Sequence, residues 1–121
     1  MAPKTVLLVD PHKDSRVVYA TLLSHSGFRV LEAVDDEEGI RLARAQGPDV
    51  ILTELFPWSG GGKMLPERLH EAPETSRIPV IALTAHLVPD AWAEALLRSG
   101  ARVLTKPCGP SRVLEEVRSL L

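Results

Sequence analysis

Five short apolar runs separated by helix-length segments constrain this chain more than any other feature. The runs Thr5–Asp10, Phe28–Ala33, Asp49–Glu54, Ile78–Thr84 and Arg102–Thr105 are bounded by Gly, Pro or Asp. Each is too short for a helix and rich in β-branched or aliphatic residues, so each reads as a strand. Between and after them, segments at roughly 14–25, 36–46, 64–72, 89–99 and 110–121 show helical periodicity and recognisable ends. Runs such as Val50-Ile51-Leu52 and Val80-Ile81-Ala82-Leu83 lack polar alternation. That pattern calls for burial on both faces, which parallel strands with helical crossovers provide. The predicted fold is α/β, a doubly wound five-stranded parallel sheet in a three-layer sandwich.

The helix ends have local causes. Asp35 or Asp36 can cap the second helix, because a short side-chain oxygen satisfies N–H groups that the first turn leaves unpaired. Gly47-Pro48 then stops it. In the last helix Pro110 suits the first turn, and Val113, Leu114, Val117, Leu120 and Leu121 share one face that should pack on the sheet. The third helix is the least well marked: Gly60-Gly61-Gly62 costs backbone entropy and Pro66 lacks a donor, which predicts a start near Pro66.

At 121 residues and 45% hydrophobic content the chain matches one domain, spanning 1–121, with no linker or internal repeat. A formal net charge of −2 supplies no sequence-wide positive field for nucleic acid or an anionic membrane. The apolar start Val6-Leu7-Leu8-Val9 is cut off by Asp10, so neither a signal peptide nor a membrane span is expected. A lone Cys108 excludes an intrachain disulfide. These features predict a soluble, cytoplasmic protein.

Open parallel sheets bind ligands beyond the carboxyl ends of their strands, near the switch in strand order. There this chain offers Asp10, Glu54, Thr84 and Lys106: two acids, a hydroxyl and an ammonium. Val9-Asp10, the run Pro48 to Glu54, the run Ile78 to Ala85, Gly100-Ala101 and Lys106-Pro107 together resemble the receiver domain of two-component response regulators. The resemblance covers essentially the whole chain and implies the (βα)5 flavodoxin-like fold. In that family two acids after strand one hold Mg2+, and an aspartate after strand three takes a phosphoryl group from a histidine kinase. Such transfer needs an in-line oxygen nucleophile and cations that spread the developing charge. The threonine after strand four then closes on the phosphoryl oxygens and switches the surface of helix four, strand five and helix five.

The sequence departs from this pattern. Pro11 stands at the second acidic position, so Mg2+ at Asp10 should bind weakly. Glu54 replaces the acceptor aspartate, and its extra methylene moves the carboxylate away from the in-line position. Only two residues separate Glu54 from Pro57 where the family has three; registering on Pro57 instead puts Thr53 at the acceptor position. Val103 falls where the family often carries an aromatic switch residue, and Phe56 and His86 match positions that tune dephosphorylation. The resemblance therefore implies an atypical, pseudo-receiver-like module that is not an enzyme. Its partners would be a histidine kinase, another receiver or an output protein, with a homodimer also open. Glu54 either mimics a phosphorylated aspartate or forms an ion pair with Lys106 in a vestigial pocket.

Asp10 serves equally well as a turn or cap residue. A working phosphoacceptor would need Mg2+ and an unconventional acceptor, Glu54 or Thr53. Against a small nucleotide- or flavin-binding protein, this chain has no phosphate-cradling loop after strand one, and Gly60-Gly61-Gly62-Lys63 fails the phosphate-loop pattern. Trp58 and Trp92 fit partial core burial, Cys108 a small packed hydrophobe, and His12, His25 and His70 show no metal-ligand spacing.

Overall fold

The structure is a computed structural model, described here for residues 2–55, 63–84, 90–106 and 108–121. Strands and helices alternate along the chain: β1 Thr5–Val9, α1 Lys13–His25, β2 Arg29–Ala33, α2 Asp36–Gln46, β3 Val50–Glu54, α3 Leu65–Glu71, β4 Val80–Thr84, α4 Asp90–Ser99, β5 Arg102–Thr105 and α5 Pro110–Ser119. The strands form one parallel sheet in the order β2-β1-β3-β4-β5. The order reverses between β1 and β3, which opens a crevice at their carboxyl ends.

Strand pleating divides the core between the two faces. Val6, Leu8, Val50, Leu52, Ile81, Leu83 and Leu104 pack with Tyr19 and Leu23 of α1 and Val113 and Val117 of α5. The alternate positions Leu7, Val9 and Ile51 pack with Ile40 and Ala43 of α2 and Leu65 and Leu69 of α3, while Ala82 meets Ala95 and Leu96 of α4. Helices α1 and α5 thus cover one face and α2, α3 and α4 the other. β1, β3 and β4 are buried along their whole length, as the apolar runs required.

The ends follow the expected physics with small shifts. Asp35 accepts the Glu38 N–H at 2.8 Å, and α2 closes on Gly47 at φ 54°, a left-handed conformation that favours glycine. α3 starts at Leu65, one residue before the predicted Pro66: proline fits the first turn, and Glu67 accepts the Met64 N–H at 3.0 Å. α5 ends at Ser119, and Leu121 is 44% exposed, so it does not join Val113 and Val117 on the sheet as expected. The helix stops before the turn that would have carried Leu121 inward. Gly39 lets α2 approach β1 closely, since a Cβ there would meet Val9 Cγ2 at 3.0 Å.

Candidate functional site at the carboxyl rim

β1 delivers Asp10 to the crevice, pinned by its N–H to the Ala33 carbonyl at 3.0 Å. Its side chain, 1% exposed as a residue, folds back on its own loop. Oδ1 accepts the His12 N–H at 2.9 Å and lies 3.4 Å from His12 Nδ1, while Oδ2 accepts a short hydrogen bond from the Ser15 hydroxyl. Pro11 favours the tight Asp10–His12 turn, because its ring presets φ. These are the hydrogen bonds of a turn residue.

β3 ends in Glu54, 7% exposed, and β5 is followed by Lys106. The Lys106 N–H donates to the Thr84 carbonyl at 2.7 Å, which extends the β4–β5 pairing by one step and fixes where the lysine leaves the sheet. Its Nζ reaches 2.7 Å from Glu54 Oε2. The contact is an ion pair by distance, although among the described residues Oε2 receives no well-aligned hydrogen bond. Burial works against the charged lysine, but the close carboxylate of Glu54, with Tyr19 and Asp10 behind it, raises the Lys106 pKa above its ordinary value.

The four rim residues chosen from sequence therefore do not all play one part. Glu54 and Lys106 meet directly, Thr84 is buried and tied to Lys106 through its backbone, and Asp10 is engaged by its own loop. Thr53, the other acceptor considered, is fully buried, and its hydroxyl donates to the Glu54 carbonyl at 3.1 Å. Val103 is 40% exposed on β5. Phe56, His86 and Trp58 lie outside the described residues. Trp92 is partly buried against Met64, Ala95 and Leu96, and Cys108 packs at the edge of the α1–α5 core.

Sequence reasoning missed Tyr19, Ser15 and Arg16. Tyr19 is buried beneath the rim, and burial raises its pKa, with Lys106 opposing and Glu54 reinforcing the shift. Its spacing from Leu23, four residues on, was the available signal. Arg16 donates to the Asp10 carbonyl at 2.8 Å and pairs with Glu32 of β2 at 3.2 Å.

The donor set does not fit a resident Mg2+. Both Asp10 oxygens already accept hydrogen bonds, Pro11 brings no side-chain oxygen, and Glu54 faces an ammonium. Among the described residues no three His, Cys, Asp or Glu side chains converge on a point. Among the same residues, no helix is long and apolar enough to cross a membrane.

The family model for the response regulator receiver domain matches residues 6–118. The chain is 31% identical over 119 residues to protein PilH of Pseudomonas aeruginosa, covering 96% of each. It is 28% identical over 121 residues to the polar-differentiation response regulator DivK of Brucella anthropi, covering 98% of this chain and 97% of DivK. The chemotaxis protein CheY4 of Vibrio cholerae superposes with a TM-score of 0.85 at 24% identity, over 99% of this chain and 100% of CheY4.

Proposed function

The chain belongs to the response regulator receiver domain family, and from that premise we propose that it is an atypical receiver, a single unit over 1–121 that signals by protein contact without taking up a phosphoryl group. Receiver domains in general are signalling modules in two-component pathways, contacting kinases and other proteins, and bind Mg2+ at their phosphorylation site. The observation that carries the proposal is the 2.7 Å contact between Glu54 and Lys106. Glu54 puts a permanent negative charge against the lysine, as a phosphoryl oxygen on a shorter acid would, and at 7% exposure it is poorly placed as a nucleophile. The buried Thr53 hydroxyl offers no substitute acceptor.

The surface of α4, β5 and α5 is then presented constantly, to a histidine kinase, another receiver, an output protein or a second copy. Leu97, 78% exposed, and Val103 supply apolar contacts there. Glu54→Gln keeps the shape and removes the charge. It is expected to reduce partner binding at least about tenfold, equivalent to roughly 1.4 kcal/mol, measured by calorimetry with the partner protein. Unchanged binding would mean that the ion pair only fills a vestigial pocket and the domain is a scaffold.

A further inference from the structure

The β1–α1 turn carries a hydrogen-bond network that the Glu54–Lys106 pair does not use. Its centre is Asp10, whose carboxylate accepts from the His12 N–H and the Ser15 hydroxyl and whose carbonyl accepts from Arg16. Arg16 reaches on to Glu32 of β2 at 3.2 Å. The network ties the N-cap amide of His12 and the first-turn side chains of Ser15 and Arg16 to the end of β1, and so sets where α1 starts. One aspartate and one arginine thereby join the end of β1, the turn, the first turn of α1 and β2.

We infer that Asp10 is the positioning residue that fixes the start of α1 against β1 and β2, and that the rim excludes Mg2+ instead of binding it weakly. Mg2+ demands near-octahedral oxygen ligands at about 2.0–2.1 Å and sheds water reluctantly. To ligate it, Asp10 would have to loosen hydrogen bonds that hold the helix start. Charge gives Mg2+ little help. Asp10 and Glu54 against Lys106 leave one net negative charge, half of what would neutralise a dication, and the carboxylate of Glu54 is already held by Lys106. The inference is independent of the signalling role of Glu54: metal-free phosphorylation would sink that role and leave this one standing.

The test is thermal unfolding of the wild type and Asp10→Asn in about 10 mM Mg2+ and in chelator, beside Mn2+ binding to the wild type followed by electron paramagnetic resonance. A site with a Kd of about 1 mM would raise the wild-type Tm by about 5 °C in Mg2+. The expected result is no rise and no bound Mn2+. Asn keeps only one acceptor oxygen, so Asp10→Asn should lower Tm by about 5 °C, equally in both buffers. A wild-type Tm that climbs with Mg2+, a bound Mn2+ signal, or an Asn defect confined to the Mg2+ buffer would overturn the inference. If Asp10→Asn does not fold, Ser15→Ala removes one hydroxyl and should give a smaller loss, again equal in both buffers.

Discussion

Lys106→Met is expected to lower the stability of the folded chain by about 2–3 kcal/mol at neutral pH. Methionine keeps the length and apolar stem of lysine, so packing changes little. What changes is that Glu54, 7% exposed, is left as a buried carboxylate without its cation. Removing one partner of a buried pair costs about 3–5 kcal/mol, and the 25% exposure of the lysine side chain lets water recover part of that. The double variant Lys106→Met/Glu54→Leu should regain most of the loss, because neither charge then needs the other. Urea unfolding of the four proteins measures the coupling. A single-variant loss under about 0.5 kcal/mol would mean that the pair behaves like an exposed surface bridge.

The same pair sets a pH signature. The Lys106 pKa is raised in the folded state, so its contribution is fully present below the unfolded value of about 10.4 and is lost as pH rises through the folded value. The wild type and Lys106→Met should therefore differ by a constant amount through pH 7–9 and converge only at strongly alkaline pH. A gap that closed near pH 8 would place the stabilisation on another group.

Leu52→Ala is expected to cost about 3–4 kcal/mol. Leu52 is fully buried in β3 and packs on the α1–α5 face with Leu8, Leu83 and Val113. Neighbours held by strand pairing on both sides cannot collapse into the space, so a cavity term adds to the lost transfer energy. Against a total of about 5–15 kcal/mol for a domain, that leaves a marginal fold. Glu54 lies two residues on, so loosening β3 also loosens the rim. The comparison is Leu97→Ala on α4, 78% exposed, which should change stability by no more than about 0.5 kcal/mol. Similar losses from both would contradict the assignment of the core.

The architecture was legible because its signals were local and repeated. Five apolar runs named the strands, and Asp35, Gly47 and Pro110 marked helix ends that the structure places as expected. α3 and the end of α5 shifted, since proline tolerates more than one first-turn position and Leu121 lies beyond the turn that would have buried it. At the rim, strand-end position and residue type picked out Glu54 and Lys106, and two long side chains reach each other across the end of β4. The commitments of Asp10 were hidden. Ser15 and Arg16 reach it only once α1 begins at Lys13 and turns both side chains back over the loop, which no motif spacing announces. The spacing of Tyr19 from Leu23 could announce its burial, but its place beneath the rim comes from packing α1 on the sheet.

The most direct test of signalling without phosphorylation is intact mass after incubation with acetyl phosphate and Mg2+, with and without chelator, beside a receiver known to be phosphorylated. The control is expected to gain a phosphoryl group while this chain does not. A Mg2+-dependent adduct on this chain would contradict that and restore a conventional phosphoacceptor role.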